Sequence, residues 1–249
     1  LNDSDLIIDA IFGIGINRPI DNSKISKINL INNQDAPIVS LDIPSGMHPD
    51  SGQIMGAAIK ATMTITFISH KLCFYLGEGK NLSGLIKCSH LDISQRHFSR
   101  VTEDMKIINE CYTQNKLLRR KSDAHKGDYG HVLIVGGGPG MHGAALLSGE
   151  SSLRGGAGKV TIFMHESHRS LINKARPELM LIFSNEGINI ESILSKVDVV
   201  AIGPGLGLDD WARSIFKRVI KSNKPLVVDA DALNILSEKN FKREDWVLT

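Results

Sequence analysis

The chain has 249 residues, of which 42% are apolar and 22% charged, with a net charge of +2 at neutral pH. That balance fits a globular protein and gives no sign of a nucleic-acid or membrane-surface partner, and no apolar run reaches the ~20 residues of a membrane-spanning helix. Three widely spaced cysteines, Cys73, Cys88 and Cys111, form no zinc or redox pattern, so packing thiols in a reducing cytoplasm are expected.

Seven short runs rich in Ile and Val read as buried strands: 6–12, 37–43, 62–68, 131–136, 159–164, 197–203 and 225–230. Their hydrophobicity is nearly continuous rather than alternating, as in parallel strands covered on both faces. Helical spacing appears over 23–32, 142–154 and 208–221, and strands alternating with helices predict α/β architecture. Between about 95 and 130 the chain turns polar and highly charged, which reads as an exposed helix and linker joining two α/β units. The closing DWVLT reads as a further strand. Leu1 in place of Met, no basic n-region, and strand-like runs at both ends give the expectation of a chain cut through folded structure.

In parallel α/β sheets, ligands bind beyond the carboxyl ends of the strands. Two predicted strand ends carry suitable chemistry: Asp9 followed by Gly13-Ile14-Gly15-Ile16-Asn17-Arg18-Pro19, and Asp42-Ile43-Pro44-Ser45-Gly46. The first is not a dinucleotide fingerprint, because Arg18 stands where G-x-G-x-x-G requires its last glycine. By itself it reads equally as a tight strand-to-helix connection, and Asp42 equally as a turn former.

Together DLIIDAIFGIGINRPI, PIVSLDIPSGMHPDSGQIMGAAIKATMTITFISHK and LSGLIKCSHLDIS resemble the later part of the NAD(P)H-hydrate epimerase domain. The resemblance implies that Asp9 and Ser45 help hold K+ and that Gly13 to Pro19 and Asp42 contact the hydrated nucleotide; Asp42 is, in addition, the candidate for proton transfer. Oxygen ligands suit such a hard cation, which would offset the charge of a diphosphate. After Lys71 the family often has Pro-Gly, where this chain has Leu72-Cys73.

Further on, Gly138-Pro139-Gly140-Met141-His142-Gly143 matches G-x-G-x-x-G after a strand, with Glu166 ending the next one, which is a dehydrogenase pattern. Pro139 argues against it, since proline offers no amide to a pyrophosphate. DAHKGDYGHVLIVGGGPGMHGAALLSGESSLRGGAGKVTI, ARPELM, DVVAIGPGLG and KPLVVDADALNIL instead resemble the ADP-dependent NAD(P)H-hydrate dehydratase. That resemblance implies that Gly143, Ala144 and Gly205 line the hydrate site, with close helix-to-strand packing as the bland alternative. Asp229 and Asp231 end a strand where either magnesium binding or, for Asp231, helix capping is possible. Lys126 faces either phosphate or solvent.

Both halves resemble the bifunctional NAD(P)H-hydrate repair family over almost the whole chain. The expectation is a Rossmann-like epimerase domain over 1–105, a linker over 106–122, and a ribokinase-like dehydratase domain over 123–249. The implied activity epimerises the R and S hydrates and returns the S form to NADH or NADPH at the expense of ADP, with Mg2+ at the nucleotide and K+ at the epimerase. The expected partners are NADH and NADPH hydrates, ADP and further copies of the chain, with no nucleic acid and no membrane. The family's upstream Asn-Gly loop and downstream Gly-Gly-x-Gly-Asp turn do not occur within 1–249, so this segment alone is expected to be inactive. A vitamin or sugar kinase and a non-catalytic nucleotide-binding module stand as alternatives.

Overall fold

The computed structural model describes residues 4–98, 101, 105–108, 110–114, 120–170, 176–185, 187–238, 241 and 243–249. The chain divides into two compact units, Leu1–Asn109 and Glu110–Thr249. Residues 99, 100, 102–104, 109 and 115–119 of the polar connector lie outside the described residues.

The first unit contains β1 (Ile7–Asp9), α1 (Asn22–Asn32), β2 (Ile38–Leu41), β3 (Met63–Phe67), α2 (Gly79–Leu82), β4 (Leu85–Ser89) and α3 (Gln95–Phe98). Its four strands are parallel and lie in the order β1-β2-β3-β4. The first strand is shorter than its apolar run because the backbone turns at once, the Ile11 amide donating to the Asp9 carboxylate at 3.3 Å. Ile7, Ile28, Ile38 and Ile59 form one buried cluster, while Ile43, Met47, Cys73 and Phe74 form another. α1 is capped by Asp21, which accepts from the Lys24 amide.

The second unit contains α4 (Glu110–Gln114), β5 (His131–Val135), α5 (His142–Arg154), β6 (Lys159–Met164), β7 (Met180–Phe183), α6 (Ile190–Leu194), β8 (Val199–Ile202), α7 (Asp210–Val219), β9 (Leu226–Val228), α8 (Ala230–Ser237) and β10 (Trp246–Leu248). Its six strands are parallel in the order β10-β9-β8-β5-β6-β7. Residues of β5 alternate between two cores. Leu133 and Val135 join Phe216, Val219 and Ile235 on one face, and Ile134 joins Ala145, Ile162 and Met164 on the other. Burial on both faces is the reason the strand segments read as unbroken apolar runs.

Two edge-lying strands, β4 and β7, escape that reading because their burial is only partial. α7 begins at Asp210 rather than 208, where the Asp209 carboxylate takes the Ala212 amide at 2.8 Å. Asp229, not Asp231, caps α8. The cap position falls to the residue whose backbone is still extended, and Asp231 already lies inside the helix.

Among the described residues, no helix is long and apolar enough to cross a membrane. Phe216 is fully buried in the larger core. Phe216→Ala is expected to cost ~3–5 kcal/mol, read as a lowered urea midpoint with an unchanged slope.

Candidate functional site

The register of the first sheet sets Asp9 opposite Ser40, so two polar groups meet at the carboxyl end of neighbouring strands. The chain then turns back at 44–46, returning Ser45 beneath β1. Asp9 is almost completely buried, and its carboxylate collects four donors. Oδ2 accepts from the Ser40 hydroxyl at 2.8 Å and the Ser45 amide at 2.9 Å. Oδ1 accepts from the Ser45 hydroxyl at 2.5 Å and, more weakly, from the Ile11 amide.

No cationic side chain pairs with Asp9 among the described residues. Ser45 Oγ also accepts the Phe12 amide at 2.8 Å and lies 3.2 Å from the Phe12 carbonyl. One hydroxyl hydrogen cannot serve both acceptors, and the shorter contact to the charged carboxylate takes it. The Phe12 carbonyl is thereby left without a donor among the described residues.

Asp42 occupies a different niche on the same strand ends. Its backbone is left-handed at φ 69°, which swings the side chain out of the strand's alternation. Oδ1 takes the Lys71 ammonium at 2.8 Å, the Thr66 hydroxyl at 3.2 Å and the Phe67 amide at 3.4 Å. Lys71 is itself fixed by Thr66 Oγ1 at 3.0 Å and the Phe67 carbonyl at 2.7 Å. Oδ2 has no donor among the described residues and lies 3.8 Å from where a Gly13 methyl would stand. The predicted loop and the predicted proton carrier therefore face each other, with one carboxylate oxygen anchored and the other free.

Within the loop, Gly13 is half-buried, Ile14, Gly15, Asn17, Arg18 and Pro19 are exposed, and Ile16 is buried. The Ile16 side chain is an anchor, so any ligand contact there falls to its backbone. Asp42, Asp9 and Ser45 do not form one cage: Asp9 and Ser45 bond directly, whereas Asp42 turns to Lys71. Burial pushes the neighbouring Cys73 thiol up to about 12, so it stays protonated and acts as packing, not as a nucleophile. Cys88 is a half-buried free thiol. The Cys111 side chain lies outside the described residues. Lys71 and Thr66 carried no sequence signal of their own, because a lysine after a strand reads as a solvated charge.

In the second unit the strand order reverses at β5, with β6 on one side and β8 on the other, which opens a crevice at their carboxyl ends. The Gly137 and Gly138 amides donate to the Pro204 and Gly205 carbonyls at 3.1 and 2.6 Å. These bonds tie the two loops together, and the second spends the first amide of the 138–143 glycine pattern on a carbonyl of the protein. Gly143 and Ala144 are exposed at the start of α5, and Gly205 lies against Ala144. A methyl on Gly143 would meet nothing within 4 Å, so close packing does not explain that glycine. Gly205 is different. Its φ is +57°, and a methyl there would stand 2.5 Å from the Met141 carbonyl. Asp231 accepts the Gly207 amide at 2.8 Å and so braces this loop.

The comparisons agree with both halves. A family profile described as YjeF-related protein N-terminus matches residues 1–73, and one described as NAD(P)H-hydrate dehydratase matches residues 132–249. The chain is 38% identical to a bifunctional NAD(P)H-hydrate repair enzyme of Coxiella burnetii, over 98% of this chain and 50% of that protein. It is 36% identical to one of Escherichia coli, over 98% of this chain and 47% of that protein. Along almost its whole length the chain is thus similar to bifunctional NAD(P)H-hydrate repair enzymes. It spans about half the length of the curated relatives it matches. A ribokinase-like superfamily protein from Enterococcus faecalis superposes with a TM-score of 0.53 at 27% identity, over 59% of this chain and 56% of that one. The second unit thus has the ribokinase-like fold, behind a YjeF-related first unit.

The two glycines of the crevice make a paired expectation. Gly143→Ala should leave the melting temperature unchanged or slightly raised, since a helical Ala replaces a Gly in open space. Gly205→Ala should lose ~1–3 kcal/mol through left-handed backbone strain and the Met141 contact. Thermal melts of the two variants check both.

Proposed function

We propose that the protein repairs hydrated nicotinamide nucleotides, with its first unit epimerising the R and S hydrates and its second dehydrating the S form with ADP. The observation that carries the first activity is the asymmetry of Asp42. Lys71, Thr66 and Phe67 hold Oδ1, which leaves Oδ2 as the base toward the Gly13–Pro19 loop. Arg18, exposed and without an ion-pair partner among the described residues, would meet the nucleotide's phosphates. Lys71 serves as the positioning residue.

The Asp9–Ser45 knot fits a potassium ion. A buried carboxylate with no cationic partner, the remaining lone pair on Ser45 Oγ and the undonated Phe12 carbonyl are three oxygens of the hard type such an ion takes. When bound, the ion supplies positive charge beside a diphosphate-bearing substrate. Asp9, Ser45 and Phe12 would hold it, and the same knot keeps the 44–46 turn in place beneath Asp42.

In the second unit, Gly143, Ala144 and Gly205 leave room for a flat ring against the backbone. There the transfer of a phosphoryl group from ADP to the ring hydroxyl makes a leaving group, and its elimination restores the reduced ring. Positioning and charge neutralisation carry such a transfer. Magnesium is assigned no ligand in this chain. No cluster of three or more His, Cys, Asp or Glu among the described residues suits a metal, and Asp231 is engaged with Gly207. A cytoplasmic, homo-oligomeric enzyme belongs to the same reading.

The test supplies the full-length protein with a racemic mixture of hydrates and ADP, and follows the absorbance of the reduced nicotinamide. Recovery of the full amount requires both activities. Asp42→Asn should stop recovery at the S half, the rest returning only at the uncatalysed rate. Lys71→Met should slow that second half about 10²–10³-fold in kcat while leaving the first half unchanged, as expected for loss of an oriented base. Full-rate recovery in Asp42→Asn refutes the role of Asp42. Phosphorylation of an added vitamin alcohol, without recovery of hydrate, would favour a kinase.

A further inference from the structure

The second sheet has two ends, and the crevice uses only one. At the amino end lies a cleft of ≈ 910 Å³ whose wall includes the first residues of β5, β6 and β7, namely His131, Lys159 and Met180. Across the six residues of β6, this cleft stands ~20 Å from the crevice at the carboxyl end. Six cationic side chains line it: Arg120, Lys126, Arg154, Lys159, Arg176 and Lys196. Its volume lies within the range of small-molecule sites.

The cations are placed, not scattered. Glu150 sits between Arg154 and Arg176, 2.8 and 3.0 Å from their guanidinium nitrogens, so one carboxylate orients two positive charges and neutralises one. Arg120 donates to the Gly156 carbonyl at 3.0 Å and stacks 4.5 Å over the Tyr129 ring. The Lys126 carbonyl would lie 1.7 Å from a methyl on Gly158, an approach that only glycine permits. Among the described lining residues, Glu178 is the one carboxylate. The ammonium groups of Lys126, Lys159 and Lys196 have no hydrogen-bond or ion-pair partner among the described residues. Leu153, Ala157 and Met180 give the cleft an apolar floor.

Like charges gathered in a concave site raise the local concentration of anions and repel one another until an anion enters. We infer that this cleft is a second ligand site, separate from the crevice, which binds a small polyphosphate-bearing molecule through Lys126, Lys159 and Lys196. The phosphates take the lysines, and a nucleotide's ring would rest on the apolar floor.

Calorimetric titration of the chain with inorganic tripolyphosphate, and in a parallel arm with ADP, tests the inference. Tripolyphosphate should bind with one-to-one stoichiometry and weaken at least fivefold between 50 and 300 mM NaCl, because exposed charges are screened. Lys159→Glu combined with Lys196→Glu should weaken it at least tenfold, as should Lys126→Glu, which lies on a separate loop. All three lysines are exposed, so the melting temperatures should hold and report intact folding. Gly143→Leu, which obstructs only the crevice, should leave tripolyphosphate binding unchanged. Tighter binding in the ADP arm, lost with the same reversals, identifies a nucleotide, and equal binding identifies the phosphates alone. The inference is overturned by absence of saturable binding, by affinity that survives the reversals, or by a single-stranded RNA that binds more tightly than either probe. None of these results bears on hydrate repair, which the absorbance assay reports separately.

Discussion

A carboxylate buried without a cation is the constraint on which the first unit is built. Asp9 ends its strand inside the protein, where an ionised group is costly unless its lone pairs are met. The solution draws on two strands and a turn: Ser40 opposite in register, and both the amide and the hydroxyl of Ser45 folding back from beyond β2. Satisfying Asp9 therefore fixes the path of the chain from 42 to 46, and that path places Asp42 at the mouth. Structure and chemistry share the same hydrogen bonds, so the turn cannot drift without uncovering a buried charge.

Two acids only a strand apart are thus given opposite environments. One is enclosed by neutral donors and retains an appetite for positive charge. The other is half-open, with a lysine bound to a single oxygen and its second oxygen left bare. In the function proposed above, that separation of environments lets neighbouring strand ends take separate roles, one toward an ion and one toward a proton. In the second unit the comparable constraint is backbone packing. The 136–138 and 203–207 loops bond to each other, and what remains open at their rim is the exposed start of α5.

How much of this was legible beforehand differed by residue. The parallel α/β character was visible because the central strands are largely covered on both faces, most completely in β5 and β6, which keeps their runs mainly apolar. Partly exposed strands such as β4 and β7 keep no such signature, and the sequence alone was silent on them. Asp9, Asp42, Ser45 and the loop between them stood out through their motifs, as did Gly143, Ala144 and Gly205. The cap of α8 was misplaced by two residues because Asp229 and Asp231 look alike in the sequence and differ only in backbone angle.

Local spacing and composition determined that the chain holds two α/β units and which strand ends bear acids, hydroxyls and small residues, and the motifs at those ends carried the resemblance to a repair family. The tertiary structure decided which of those groups meet. It bound Asp9 to Ser45, turned Asp42 toward Lys71, and drew Lys126, Lys159 and Lys196, scattered along the chain, to one end of a sheet. Partnership depends on register and on which way a turn closes, and both are set by burial across distances that no local pattern records.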